Sequence, residues 1–212
     1  EIIAKKHSLI LEKIGVKTKF EGQEIKVFPA SDVFSQSMVV ESDWSSASYY
    51  YSLIALSDVG SEVSLSSYTP DSLQGDAVLR DIYSHLGVQT TFKKDQLVLA
   101  KVAAPSDAIL EKGLAWDLSN APDIAQTIAV SCFGLGVACD LTGLHTLKIK
   151  ETDRLVALEN ELSKLGAGLH ITEKSLHLAA FNGSIKAHVT IGTYHDHRMA
   201  MAFAPLALRV PI

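Results

Sequence analysis

Cysteine is scarce in this chain: 212 residues carry two. Both, Cys132 and Cys139, fall in one apolar stretch. That pattern excludes a disulfide framework and reads as reduced core residues of a cytosolic protein. Positive charge is also short, with 19 Lys and Arg against 24 Asp and Glu and a net charge of -5. Such a balance argues against general nucleic-acid binding, while leaving room for a small anionic substrate held by a few local cations. No apolar run of about eighteen residues occurs, so no transmembrane helix is expected. No signal-peptide pattern precedes the first helix. Neither a glycine-rich phosphate loop nor a Gly-x-Ser-x-Gly nucleophile elbow is present. The chain starts at Glu1 without methionine and stops at Val210-Pro211-Ile212, where a strand is expected to begin. Both ends read as cut, and a longer parent protein is expected.

What remains is ample for folding. Residues are 47% hydrophobic and 20% charged, enough for one large domain or a domain plus part of another. Three segments share one plan. Leu9–Val16 leads to Glu24–Val27, Ser84–Val88 to Gln96–Leu99, and Glu161–Ala167 to Ser175–Leu178. In each, an apolar residue stands just before a glycine (Ile14, Leu86, Leu165) and another four before it (Leu11, Tyr83, Leu162). The offset from that glycine to the last strand is the same in all three. An amphipathic helix that ends at a glycine, which accepts the left-handed conformation, followed by a hairpin, explains the pattern. The hairpin turns are expected at Glu21-Gly22, Lys94-Asp95 and Glu173-Lys174.

A second type of helix, apolar nearly all round, is expected over Ser46–Leu56, Pro122–Leu135 and His197–Leu208. Such helices belong at the centre of an assembly. The fold class that follows is α/β: repeated units of a buried helix, strands, an amphipathic helix and a hairpin, with helices inside and sheets around them. Each buried helix has a polar start: Asp43 with Ser45 and Ser46, Asn120 with Asp123, and Asp196 with His197 and Arg198. Their N-termini would be drawn towards one region.

One run stands out among these starts, Lys150-Glu151-Thr152-Asp153-Arg154-Leu155. With a helix beginning near Thr152, Glu151 and Arg154 lie three apart and Lys150 and Arg154 four apart, so their side chains converge near the helix end. Two cations and a carboxylate beside free backbone N–H groups suit an anionic ligand; the plainer alternative is a solvated helix start. Asp123, beside Pro122, is by itself a capping acid. Arg198 opens an apolar helix and needs an anionic partner, for which Asp196 is at hand. His195 and His197, with His188 upstream, have HxH spacing, but no third ligand is evident, so no metal is expected. Trp44 and Tyr49-Tyr50-Tyr51 lack a basic face and read as core or lobe-boundary packing.

Together, Lys150–Leu155, Asp196-His197-Arg198-Met199-Ala200-Met201 and Asn120-Ala121-Pro122-Asp123 resemble the 5-enolpyruvylshikimate-3-phosphate synthase (3-phosphoshikimate 1-carboxyvinyltransferase) family. Ser72-Leu73-Gln74-Gly75-Asp76 and Asp43–Tyr49 look like family stretches too, and the match runs in the family's order over essentially the whole chain. The resemblance implies a two-lobed fold of three α/β units per lobe, only part of it present. Residues 1–39 would be the tail of one lobe and 40–212 most of the other, with the boundary near Val39–Val40. It implies transfer of the enolpyruvyl group of phosphoenolpyruvate to the 5-hydroxyl of shikimate-3-phosphate, with release of phosphate, in the cytoplasm and without metal or organic cofactor. The partners implied are those two small molecules and the missing parts of the same chain, with neither nucleic acid nor membrane.

By position, the resemblance makes Asp123 the carboxylate beside the shikimate hydroxyl and Glu151 the second acid/base group, near the enol carbon. Lys150 would contact shikimate-3-phosphate. Arg154 and Arg198 would clamp phosphoenolpyruvate, and His197 would line the same pocket. Thr146 stands where relatives often place a polar substrate contact. The start, Glu1–His7, lacks the Ser-x-Pro-Tyr pattern of relatives. The family's Lys-Ser…Arg motif, a Ser-Ser-Gln phosphate contact, one arginine and a C-terminal lysine would fall outside residues 1–212, so the chain alone is expected to be inactive. Two rival assignments differ from this one. A UDP-N-acetylglucosamine enolpyruvyl transferase would use a loop cysteine, whereas Cys132 and Cys139 lie in or beside a buried helix. A non-catalytic module would leave Asp123, Glu151, Arg154 and Arg198 in internal ion pairs that share no cleft.

Overall fold

A computed structural model describes residues 2–22, 24–30, 40–94 and 96–212. The expected turn residue Asp95 and the expected lobe boundary at Val39 lie outside the described residues. The chain forms two compact units, Glu1–Val40 and Glu41–Ile212.

The first unit holds helix α1 (Ile2–Lys13) and an antiparallel hairpin of β1 (Thr18–Glu21) and β2 (Glu24–Val27), with Thr18 opposite Val27. The helix ends as its glycine dictates. Gly15 sits at φ +82, its N–H bonds the Glu12 carbonyl at 3.0 Å, and the Val16 N–H bonds that of Leu11 at 2.9 Å. A β-carbon at Gly15 would oppose that left-handed turn.

The second unit opens with α2 (Trp44–Leu56) and β3 (Glu62–Ser66), then a 3-10 turn (Gly75–Val78) leading into α3 (Leu79–Ser84). Strands β4 (Val88–Lys93) and β5 (Gln96–Lys101) complete an antiparallel sheet of order β3-β5-β4. After α4 (Asp107–Lys112) come β6 (Leu114–Asp117), a 3-10 turn (Pro122–Ile124), α5 (Ala125–Leu135) and β7 (Cys139–Thr142). Another 3-10 turn (His145–Ile149) precedes α6 (Arg154–Leu165), β8 (Leu169–Ile171) and β9 (Leu176–Leu178). Last come α7 (His197–Phe203) and a 3-10 extension (Ala204–Leu208). The second sheet has the order β6-β7-β9-β8, and β6 and β7 are parallel.

Three of these helices, α2, α5 and α7, pack on one another at the centre. Every residue of α5 from Ala125 to Phe133 is buried. Helix α2 packs on the first sheet through β5, and α5 on the second through β7. Helices inside and sheets around them is the α/β arrangement expected from the apolar runs. Hydroxyls stitch the α2–α5 seam: Ser131 bonds Ser52 at 2.8 Å and Ser48 meets Thr127 at 3.1 Å, while Tyr83 of α3 joins Ser131 at 2.8 Å. These pairs let small polar residues be buried without losing hydrogen bonds. Cys132 and Cys139 are free and buried.

The amphipathic helices end at glycines, Gly87 at φ +80 and Gly166 at φ +106. Helix α6 differs from expectation at its start. It begins at Arg154, because Asp153 takes the cap with extended backbone and accepts the N–H groups of Leu155 and Val156, both at 3.2 Å. Lys150 and Glu151 therefore precede the helix. A run of charges close together in sequence does not reveal which acid folds back onto the backbone; Asp at the cap position is a strong choice.

Candidate active site

The parallel pair β6 and β7 positions the site. The segment leaving β6 carries Asp123, and the segment leaving β7 carries Lys150, Glu151 and Arg154. Parallel strands end on the same side, so both segments emerge at one end of the sheet, and the two 3-10 turns touch. Helix α7, packed on α5 and α6, brings Asp196, His197 and Arg198 to the same place.

Arg154 is the centre. Its side chain is 1% exposed, yet its guanidinium meets three carboxylates. Nε bonds Asp196 Oδ2 at 2.7 Å, Nη1 bonds Asp123 Oδ1 at 3.0 Å, and Nη2 bonds Glu151 Oε2 at 2.5 Å. Asp123 in turn faces Lys150 Nζ at 3.2 Å and Arg198 Nη2 at 3.6 Å. Three cations thus meet three carboxylates. The fork of an arginine allows this division; a lysine ammonium has no such planar fork. Exposure runs in one direction across the cluster. Asp196 is fully buried, while the side chains of Asp123 and Glu151 are 27% and 50% exposed.

Asp196 caps α7, accepting the Arg198 N–H at 2.8 Å. Burial favours its neutral form, but the bonds from Arg154 and from the Arg198 N–H outweigh that and hold its carboxyl below the usual range. The side chain of Arg198 is not bound to Asp196; it reaches towards Asp123 and lies beside the Tyr49 hydroxyl. His197 is exposed on the first residue of α7. The Thr146 hydroxyl, in the turn that precedes Lys150, is buried without a partner among the described residues. Asp123, Lys150, Glu151, Arg154 and Arg198 therefore form one connected cluster, with His197 at the head of the same helix as Arg198.

Three contributors escape a local sequence pattern. Tyr49 reads as core packing but stands beside Arg198, and burial raises its hydroxyl pKa. Asp76 accepts a hydrogen bond from Ser45. Burial raises its carboxyl pKa against that bond, and the charge of Asp123 pushes it the same way. Gly75 packs so closely that a β-carbon would sit 2.1 Å from the Asn120 carbonyl oxygen, just before Pro122 and Asp123. The only sequence signal for the last two was the Gln74-Gly75-Asp76 run, which carries no chemistry by itself. Among the described residues, no group of three or more His, Cys, Asp or Glu is placed to hold a metal ion, and no helix is long and apolar enough to cross a membrane.

Residues 5–211 match the family model of EPSP synthase (3-phosphoshikimate 1-carboxyvinyltransferase). A 3-phosphoshikimate 1-carboxyvinyltransferase of Bacteroides fragilis is 41% identical over 175 residues, covering 81% of this chain and 41% of its own length. One from Nitrosomonas europaea is 30% identical over 204 residues, covering 95% of this chain and 46% of its own length. The chain thus spans less than half the length of these relatives. In structure it is similar to EPSP synthase from Acinetobacter baumannii, with a TM-score of 0.73 at 22% identity over 95% of this chain and 47% of that one.

Proposed function

We infer the activity from one premise: this chain belongs to the EPSP synthase (3-phosphoshikimate 1-carboxyvinyltransferase) family. The protein that contains it transfers the enolpyruvyl group of phosphoenolpyruvate to the 5-hydroxyl of shikimate-3-phosphate and releases phosphate. It acts in the cytoplasm and draws on neither metal nor organic cofactor. The observation that carries this reading is the placement of Asp123 and Glu151 on the two Nη groups of one buried guanidinium.

The chemistry asks for such a pair. When the hydroxyl oxygen bonds the enol carbon, the hydroxyl loses a proton and the methylene carbon gains one. When the C–O bond to phosphate breaks, the methyl carbon returns a proton and the enol double bond re-forms. Asp123 takes the hydroxyl proton and Glu151 serves the carbon, each being a carboxylate at a partly open rim. Both hold the same guanidinium, so displacing one carboxylate moves the group that positions the other. Lys150 holds shikimate-3-phosphate, with Thr146 beside it. Arg154 and Arg198 hold phosphoenolpyruvate through charge-assisted bonds, and His197 lines that side. Residues 1–39 form the tail of one lobe and 40–212 most of the other; the division of the chain into compact units after Val40, one residue later, supports this. The remaining substrate contacts come from parts of the protein beyond these residues, so the 212-residue chain alone does not turn over.

Phosphate release by the full-length protein tests the assignment. Release should depend on both phosphoenolpyruvate and shikimate-3-phosphate, and should not occur when UDP-N-acetylglucosamine is the acceptor. Release that requires the nucleotide sugar, or none with either acceptor, would defeat it.

A further inference from the structure

Asp196 is the one carboxylate of the cluster whose side chain is fully buried, whereas Asp123 and Glu151 lie partly open. Yet it makes two contacts that set the geometry of the rest. Oδ2 takes the Nε–H of Arg154 at 2.7 Å, and Oδ1 takes the backbone N–H of Arg198 at 2.8 Å. With Nε occupied from behind, Arg154 turns its Nη edge to the open rim where Asp123 and Glu151 lie. With its first turn capped, α7 presents Arg198 on the same side.

The turn that delivers Asp196 is unusual. Tyr194 and His195, consecutive non-glycine residues, sit at φ +55 and +56. Bulky residues in that region are strained and persist only where surrounding contacts hold them. Glu161 supplies those contacts. Its carboxylate, 1% exposed in α6, accepts the Gly192 N–H at 2.8 Å and the Tyr194 hydroxyl at 2.8 Å, and it pairs with Lys164 at 2.6 Å. The turn closes with the Asp196 N–H on the Thr193 carbonyl at 2.8 Å. Helix α6 thus holds Arg154 at its first residue and, two turns later, the clamp on the turn that carries the counter-ion of Arg154.

We infer that Asp196 is a positioning residue for the enolpyruvyl-donor side of the site, aiming Arg154 and Arg198, and that Glu161 sets Asp196 through the 192–196 turn. This rests on the assignment of Arg154 and Arg198 to phosphoenolpyruvate. Steady-state kinetics of the full-length protein separate aim from mere stability. In Asp196→Asn the side-chain oxygen that caps α7 is kept, since Asn is as good a cap as Asp, while the charge on Nε is lost. KM for phosphoenolpyruvate should rise by about tenfold or more, as a small misplacement of a clamping group does. KM for shikimate-3-phosphate should stay within about twofold. Glu161→Gln, which touches no substrate, should move the same KM in the same direction by roughly threefold. In an Arg154→Lys background, Asp196→Asn should add less than about twofold, because residues in one network are not additive.

An unchanged KM for phosphoenolpyruvate in Asp196→Asn, whatever its melting temperature, would overturn the inference, as would equal rises in both KM values. A second readout stands apart from the substrates. The Arg154 Nε–H signal in NMR should exchange slowly in the wild type and quickly in Asp196→Asn; fast exchange in the wild type would also overturn it. Slow exchange in a wild-type protein that lacks turnover would instead defeat the substrate assignment and leave the positioning intact.

Discussion

The chemistry of this molecule gathers around one arginine. Arg154 is buried, and a buried charge is tolerable only where partners satisfy it. Its three carboxylate partners do so, and they in turn depend on it. Arg154→Ala should destabilise the chain by about 3–5 kcal/mol, the usual cost of leaving a buried partner charge alone; urea unfolding measures it. Adding Asp196→Asn should recover part of that loss, since the orphaned charge is then gone. Gly75 is held against backbone. A methyl group there meets a backbone carbonyl at 2.1 Å, which cannot swing aside as a side chain would. Gly75→Ala should cost about 1–3 kcal/mol by overpacking and shift the loop that carries Asp123, seen as a lower melting temperature together with a fall in kcat.

Helix starts, rather than whole helices, carry the site. Asp43, Asp153 and Asp196 each cap a helix with a side-chain oxygen, and two of the cluster's cations, Arg154 and Arg198, follow directly after the caps at Asp153 and Asp196. Asp153→Ala should cost about 0.5–2 kcal/mol of stability. It should also loosen Arg154, the first residue of α6, so that KM for phosphoenolpyruvate rises in the same kinetic assay. Much at this scale was legible in the sequence. Three glycines at matching places foretold the ends of the amphipathic helices, and apolar runs foretold α2, α5 and α7. Local pattern carried both, because helix ends and burial periodicity are short-range properties. What was not legible was pairing at long range. The sequence offers Asp196 as a partner for Arg198, its near neighbour, whereas its carboxylate holds the side chain of Arg154, 42 positions away. Tyr49, Asp76 and Glu161 were hidden for the same reason: each acquires its role only from what the fold places beside it. The start of α6 was misplaced by two residues because four neighbouring polar residues compete for one cap.

Few charged side chains are buried among the described residues of the second unit, and one of them gives a pH signature. Lys101 is 3% exposed and donates to the Leu86 carbonyl at 2.8 Å. Burial, with the charge of Arg209 adding to it, pushes its pKa down to about 8. The unfolded chain, with an ordinary lysine, holds more protons above that value, so stability contributed by this group rises with pH from about 8 to about 10.5. Lys101→Met should flatten that rise in melting temperature and leave lower pH slopes unchanged. In the complete protein, the pair Asp123 and Glu151 is proposed to carry the proton transfers. The decisive measurement is 31P NMR of phosphate release from phosphoenolpyruvate and shikimate-3-phosphate by the full-length protein, comparing wild type with Asp123→Asn and Glu151→Gln. Turnover by the wild type and a loss of about 10²–10⁴-fold in each variant, the range for removing a general acid or base, is the predicted result. Variants that release phosphate within about fivefold of the wild type would contradict it.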